Sequence, residues 1–94
     1  MTPPREAPQE SAFAKLQRLE LARARKKFGN QHGPHESYAV ILEEVDEFWE
    51  GVKRKNHDTG ELVSELIQIA AMAQRAAEDN YASWVEKAAA ISDG

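Results

Sequence analysis

Between Tyr38 and Val52 apolar residues return every three or four positions: Tyr38, Ile41, Leu42, Val45, Phe48, Trp49 and Val52. That spacing gathers them on one side of an α-helix and predicts a helix from about Glu36 to Lys55. Upstream, Phe13, Leu16, Leu21, Ala24 and Phe28 form a broader stripe. Ser11 is a suitable N-cap for that segment, and Arg23, Arg25, Lys26 and Lys27 suit the carboxyl end of a helix dipole. Gly29 suits the residue just beyond, so a first helix is expected to end near Phe28.

Asn30-Gln-His-Gly-Pro-His35 reads as a loop through its Gly-Pro pair, and Asn56-His-Asp-Thr-Gly60 as a turn. Asp58 or Thr59 then caps a third helix to about Asp79. Its face of Leu62, Leu66, Ile69 and Ala73 is flanked by Val63, Ile67 and Ala70, and apolar character this broad predicts a central helix touching several neighbours. Tyr81 to Ile91 predicts a short fourth helix with Tyr81, Trp84, Val85 and Ala88 on one side. No internal repeat and no strand-like alternation interrupts the pattern. The expected fold is an all-α antiparallel helical bundle, one domain over 10–94, after a proline-containing lead-in at 1–9 expected to be disordered.

Composition adds a constraint on assembly. The chain has 94 residues and is 41% apolar, but many of those residues are alanines, which bury little area each. A core this thin is expected to be completed by oligomerisation, as a homodimer or homotetramer. Sixteen acids against 12 Lys and Arg leave a net charge of −4, which argues against direct nucleic-acid binding. With no cysteine, disulfides, thiolate zinc sites and cysteine nucleophiles are excluded. The first residues carry no apolar signal segment and no run approaches the ~18 apolar residues of a membrane span, so a cytoplasmic protein is expected.

The acids raise the question of chemistry. Glu44 and Glu47 are three apart on the second helix, and Glu65 and Gln68 repeat that spacing on the third. Glutamates on a helix are ordinarily solvated, and Glu43, Glu47 and Glu50 with Lys53 and Arg54 offsetting them fit that reading. Glu65 does not. It interrupts the nearly continuous apolar run from Leu62 to Ala73, where a charge is costly unless paired or bound to a metal. Two helices bringing oxygen ligands to one seam make a cage for a hard cation such as Mg²⁺.

A Glu-Glu-x-x-Glu pattern on one helix, followed by Glu-x-x-Asp on the next, resembles the MazG-like all-α nucleoside triphosphate pyrophosphohydrolases. Glu43-Glu44-Val45-Asp46-Glu47 fits the first half, and Glu65-Leu66-Ile67-Gln68 the second, with Gln68 where the family usually has aspartate. Arg23 to Gly29, His35 to Trp49 and Gln68 to Ala73 also look like the small phage and bacterial members, so the resemblance covers about residues 20 to 79. It implies hydrolysis of a (deoxy)nucleoside triphosphate to monophosphate and pyrophosphate, dependent on Mg²⁺ or Mn²⁺. By match to the motif, Glu44, Glu47, Glu65 and Gln68 are the metal ligands, and Glu43 supports them or acts as the base. Asp46 and Glu61 lie off the two ligand spokes and are expected to contribute only if a helix rotates.

Other residues admit two readings each. His32 and His35 could approach the phosphates, or be polar loop residues with His35 as a helix N-cap. Lys53 and Arg54 could reach a triphosphate or simply suit the helix dipole. Trp49 and Trp84 read first as core or subunit-interface residues, with Trp49 also placed to line a base pocket. The rival to catalysis is a helical interaction or scaffold protein without activity, or a degenerate nucleotide-binding relative, and Gln68 is the feature that favours either.

Overall fold

The computed structural model describes residues 9–93, which form three helices: α1 (Ala12–Phe28), α2 (Pro34–Lys53) and α3 (Thr59–Asp93). The lead-in expected at 1–9 lies outside the described residues apart from Gln9. No strand occurs among the described residues, so the all-α expectation holds. No described helix is long and apolar enough to cross a membrane.

Helix ends follow local chemistry. Ser11 Oγ accepts from the Ala14 N–H at 3.0 Å, and the Gly29 N–H donates to Arg25 O at 2.9 Å with a φ of 73° that suits glycine. α2 starts two residues before the expected Glu36, because Pro34 fits a first helical turn that needs no N–H. The N-cap is therefore Gly33, at φ 110°, and not His35; α2 also stops at Lys53, short of Lys55. Asp58 caps α3, its Oδ1 accepting from the Gly60 N–H at 2.7 Å.

The expected boundary before a fourth helical segment is present: the backbone at Tyr81 is non-helical (φ −138°, ψ 34°), so within α3 one helix from Thr59 and another ending at Asp93 meet at a kink rather than across a loop. No glycine or proline occurs between 61 and 93, so neither residue type causes the kink.

α3 is central, packing against both α1 and α2. Gly51 meets Leu62, Glu47 faces Glu65 and Glu44 faces Gln68, so α2 and α3 run antiparallel. On the other flank Gln17 pairs with Gln74 at 2.8 Å and Arg25 with Glu78 at 3.1 Å, which sets α1 and α3 in broadly the same direction. The buried apolar core is Leu21, Ala24, Ala71 and Met72, with Val40 and Ile41 packed against it. A Cβ on Gly51 would lie 3.0 Å from Leu62 Cδ2, so glycine lets α2 and α3 close up next to the acids.

The single apolar side foreseen on α2 is corrected: it divides into two adjacent lines, and only one of them is covered. Ser37 and Gly51 are buried and Ile41, Glu44 and Phe48 half-buried, so a line at spacings of four and three carries Glu44 into the seam. Tyr38, Leu42, Val45, Trp49 and Val52 form a second line that stays exposed.

Three residues of α3 lock the α1–α2 loop. Arg75 Nη2 donates to Gly29 O at 2.8 Å, Asp79 Oδ2 accepts from the Gln31 N–H at 2.8 Å, and Asn80 Oδ1 accepts from the Gly33 N–H at 3.1 Å. Asn80 Nδ2 also donates to Ser37 Oγ at 2.8 Å, and Ser37 donates to Gln31 Oε1. Burial alone would push the Asp79 carboxyl up, but the Gln31 N–H and the Arg25 guanidinium, 2.7 Å away, outweigh it and hold the carboxyl below its ordinary range. Asp79→Asn should therefore lower stability by about 3 kcal/mol, since it leaves cations facing a neutral group in a buried network. Urea unfolding checks this, and the sign of the shift adds a second check. Stability from a carboxyl held low is present above its unfolded pKa and lost as pH falls through the folded one, so the gap between parent and variant should shrink below about pH 4.

Candidate functional site

Glu44 and Glu47 come from the middle of α2 and Glu65 from the second turn of α3. Each contributes one carboxylate oxygen to a set lying within 4.8 Å of one another. Glu44 and Glu65 are half-buried and Glu47 is exposed, so the set sits at the mouth of the seam. Glu65 Oε2 is buried without a hydrogen-bond partner. Nearby cations are engaged elsewhere, Arg23 with Glu20 and Arg54 with Glu61.

Electrostatics record the crowding. Burial, and then the charges of Glu47 and Glu65, push the Glu44 carboxyl up to about 7. Glu65 is raised too, by burial and then by Glu47. Three facing carboxylates with one orphaned oxygen are stable only when something positive joins them, either a proton or a cation.

Gln68 completes the fourth side. The amide atom nearest Glu44 lies 2.8 Å from Oε2 and 3.2 Å from Oε1. Facing a bare carboxylate, that atom is the nitrogen, which donates; facing a shared cation, it is the oxygen. Ligand oxygens around Mg²⁺ lie about 3–4 Å apart, so small side-chain rotations would close the set on one ion. The donors, all oxygen, fit a hard cation.

The acids stand between two openings. A groove of about 790 Å³ runs along α2 and α3 and includes Tyr38, Leu42, Glu47, Leu62 and Glu65. A smaller cleft of about 270 Å³ opens where α1 and α2 part over α3, with Gln68, Met72 and Arg75 on the α3 side and Glu44 on α2. Glu43 lines both.

No family model, curated protein or solved structure matches the chain. Glu44, Glu47, Glu65 and Gln68 come together, with Glu43 beside them on the rim. Arg54 lines the large groove, its Nη1 3.1 Å from Glu61 Oε2. His32, His35, Trp49 and Lys53 line neither opening. His32 is exposed, its backbone N–H donating to Glu36 Oε2 at 2.9 Å, and His35 is exposed in the first turn of α2. Lys53 pairs with Glu50 at 2.7 Å and lies 5.7 Å from the centre of the Trp49 ring. Neither tryptophan belongs to the core of the single chain.

Two acids set aside at the sequence level belong to the groove after all: Asp46 and Glu61 both line it, and the Glu61 charge helps to raise Glu65. Glu61 was legible, being one helical turn before Glu65. Arg75, which packs over Phe28 and shapes the smaller cleft, was not. Nothing in the spacing of an Ala-rich stretch marks one arginine as buried.

Proposed function

We propose that the chain is a divalent-cation-dependent hydrolase that cleaves nucleoside triphosphates to the monophosphate and pyrophosphate. The observation that carries this reading is the orphaned Glu65 oxygen, buried among Glu44 and Glu47 between two helices. Its support from the sequence is the resemblance of Glu43–Glu47 and Glu65 to the MazG-like motif.

Glu44, Glu47 and Glu65 would hold Mg²⁺ or Mn²⁺ through carboxylate oxygens, with the Gln68 amide oxygen as the neutral fourth ligand. Such a cation neutralises phosphate oxygens and makes a bound water more acidic. Asp46, Glu47, Glu50, Glu61 and Glu65 line the groove, with Arg54 as its one cation among the described residues, so a triphosphate would be repelled there unless such a cation offset the acids. In the reaction so proposed a water oxygen would attack the α-phosphorus as the bond from that phosphorus to the oxygen bridging the β-phosphate broke, so that pyrophosphate would leave. Glu43, on the rim of both openings, would accept the water's proton. The protein acts in the cytoplasm as a homodimer or homotetramer under this reading.

A second reading has its own observation. Gln68 can satisfy Glu44 without a metal, which suits a non-catalytic helical interaction protein or a nucleotide binder that has lost activity. Pyrophosphate release from a panel of ribo- and deoxynucleoside triphosphates, with Mg²⁺ or Mn²⁺, decides between them. Release that depends on the cation is expected; none from any nucleotide with either cation would overturn the catalytic reading.

A further inference from the structure

We propose that Arg54 and Glu61 form an exchange pair on the larger groove: Arg54 leaves Glu61 to hold the two outer phosphates of the substrate, and Glu61 takes the guanidinium back as pyrophosphate departs. The first observation is position. Among the described residues Arg54 is the one cation on the groove wall, against six acids. It follows the last turn of α2, seven residues and about 10 Å along the axis from Glu47. Its guanidinium turns across to α3, where Nη1 lies 3.1 Å from Glu61 Oε2. Glu61 is one turn before Glu65, and its charge is felt there. The guanidinium therefore stands one carboxylate away from the cation set, on the groove side of it.

Chemistry then selects the ligand. With a cation at Glu44, Glu47 and Glu65 meeting the α-phosphate, the β- and γ-phosphates carry their charge further along an acidic wall and need a second positive group. A guanidinium is a two-pronged donor that matches phosphate oxygens, and it gains more from a multiply charged diphosphate than from one exposed carboxylate. Glu61 is thus a placeholder. It orients Arg54 in the empty groove and competes for it once pyrophosphate is the only ligand left.

The other arginines near the acids are tied. Arg23 and Arg75 line the smaller cleft. Arg23 gives two donors to Glu20, and Arg75, 3% exposed, spends Nη2 on Gly29 O. Arg54 meets Glu61 through a single contact between side chains 63% and 60% exposed. A lone exposed ion pair is weak and screened by salt, so exchanging it costs little. The part this pair plays in turnover rests on the function proposed above; the exchange itself needs only a divalent cation and inorganic pyrophosphate.

Calorimetric titration of pyrophosphate into the protein, with Mg²⁺ in excess, tests it. The parent should bind. Arg54→Gln should weaken binding by about tenfold or more, through loss of hydrogen bonds to a charged group, and should bind Mg²⁺ alone no more weakly than the parent. Lys53→Gln removes the same charge outside the groove and should change binding by less than about twofold. Glu61→Gln should tighten binding. That gain should be about threefold larger with Arg54 present than in the Arg54→Gln background, because only a shared partner couples the two residues. These side chains are exposed, so helical circular dichroism should be unchanged throughout. No binding by the parent, or equal losses in Arg54→Gln and Lys53→Gln, overturns the subsite. An equal gain from Glu61→Gln in both backgrounds is plain repulsion and overturns the exchange. Cleavage assays separate this from the function. If pyrophosphate binding depends on Arg54 but no nucleotide is cleaved, the hydrolase fails and the subsite stands. If nucleotides are cleaved by Arg54→Gln with the parent's KM and the parent's inhibition by pyrophosphate, the subsite fails and the hydrolase stands.

Discussion

Millimolar Mg²⁺ should raise the melting temperature of the protein at about pH 8 by 10 °C or more, and Glu65→Gln should remove most of that gain. A ligand bound only by the folded state at a hundred times its dissociation constant contributes about 2.7 kcal/mol, and each kcal/mol is worth about 4–8 °C in a domain this small. The size of the effect depends on pH in a direction that the carboxyls set. Without metal, the Glu44 carboxyl is pushed up to about 7, first by burial and then by Glu47 and Glu65. The folded state thus keeps a proton that the unfolded chain gives up near pH 4.5. A group raised in this way contributes stability that is full below its unfolded value and is lost as pH rises through the folded one. The metal-free protein should therefore lose stability between about pH 4.5 and 7, and the cation, which takes the proton's place, should matter little at about pH 5 and most above 7. In Glu65→Gln one repelling charge is gone and the new amide can donate to its neighbours. The metal-free variant should melt above the metal-free parent at about pH 8, the reverse of what loss of a structural ion pair would do. Thermal unfolding of parent and variant at both pH values, with and without Mg²⁺ or Mn²⁺, makes the comparison. A melting temperature indifferent to either cation at about pH 8 would remove the metal site.

The second large effect is expected at Gln68. Gln68→Asp withdraws an amide that can donate to Glu44 and adds a fourth carboxylate to the set. In the absence of metal the variant should be less stable than the parent. With Mg²⁺ the order should reverse, because the added charge tightens the ion. Pyrophosphate release should rise or first become measurable, by up to about 100-fold, since one well-placed charged group at a transition state can contribute ~3 kcal/mol. Glu47→Gln should abolish it. Glu47 is the most exposed of the three acids, so that substitution is a mild one for the fold. Equal destabilisation by Gln68→Asp with and without Mg²⁺, together with no cleavage by either form, would favour the interaction protein.

Spacing marked Glu44, Glu47, Glu65 and Gln68 as groups that could share a seam, while their assignment as ligands, with Glu43 beside them, came from the motif they resemble. Glu44 and Glu47 share a helical face, as do Glu65 and Gln68, and a charge inside Leu62–Ala73 is anomalous in any fold. Helix positions were equally legible, because capping and periodicity are local: Ser11, Gly29 and Asp58 act within four residues of where they stand. The boundary at Tyr81 was half legible, since a change of face shows in the pattern while the absence of a loop depends on backbone continuity.

Tertiary structure alone decided the rest. That Ile41 and Phe48 turn inward while Leu42, Val45 and Trp49 turn out could not be read from the sequence, because both lines have helical spacing and only the crossing of α2 on α3 chooses between them. The same holds for Arg75, Asp79 and Asn80, which reach back more than forty residues to the α1–α2 loop. Periodicity reports which residues share a face. Which face is covered depends on contacts between segments far apart in the chain, and those are settled only when the helices pack.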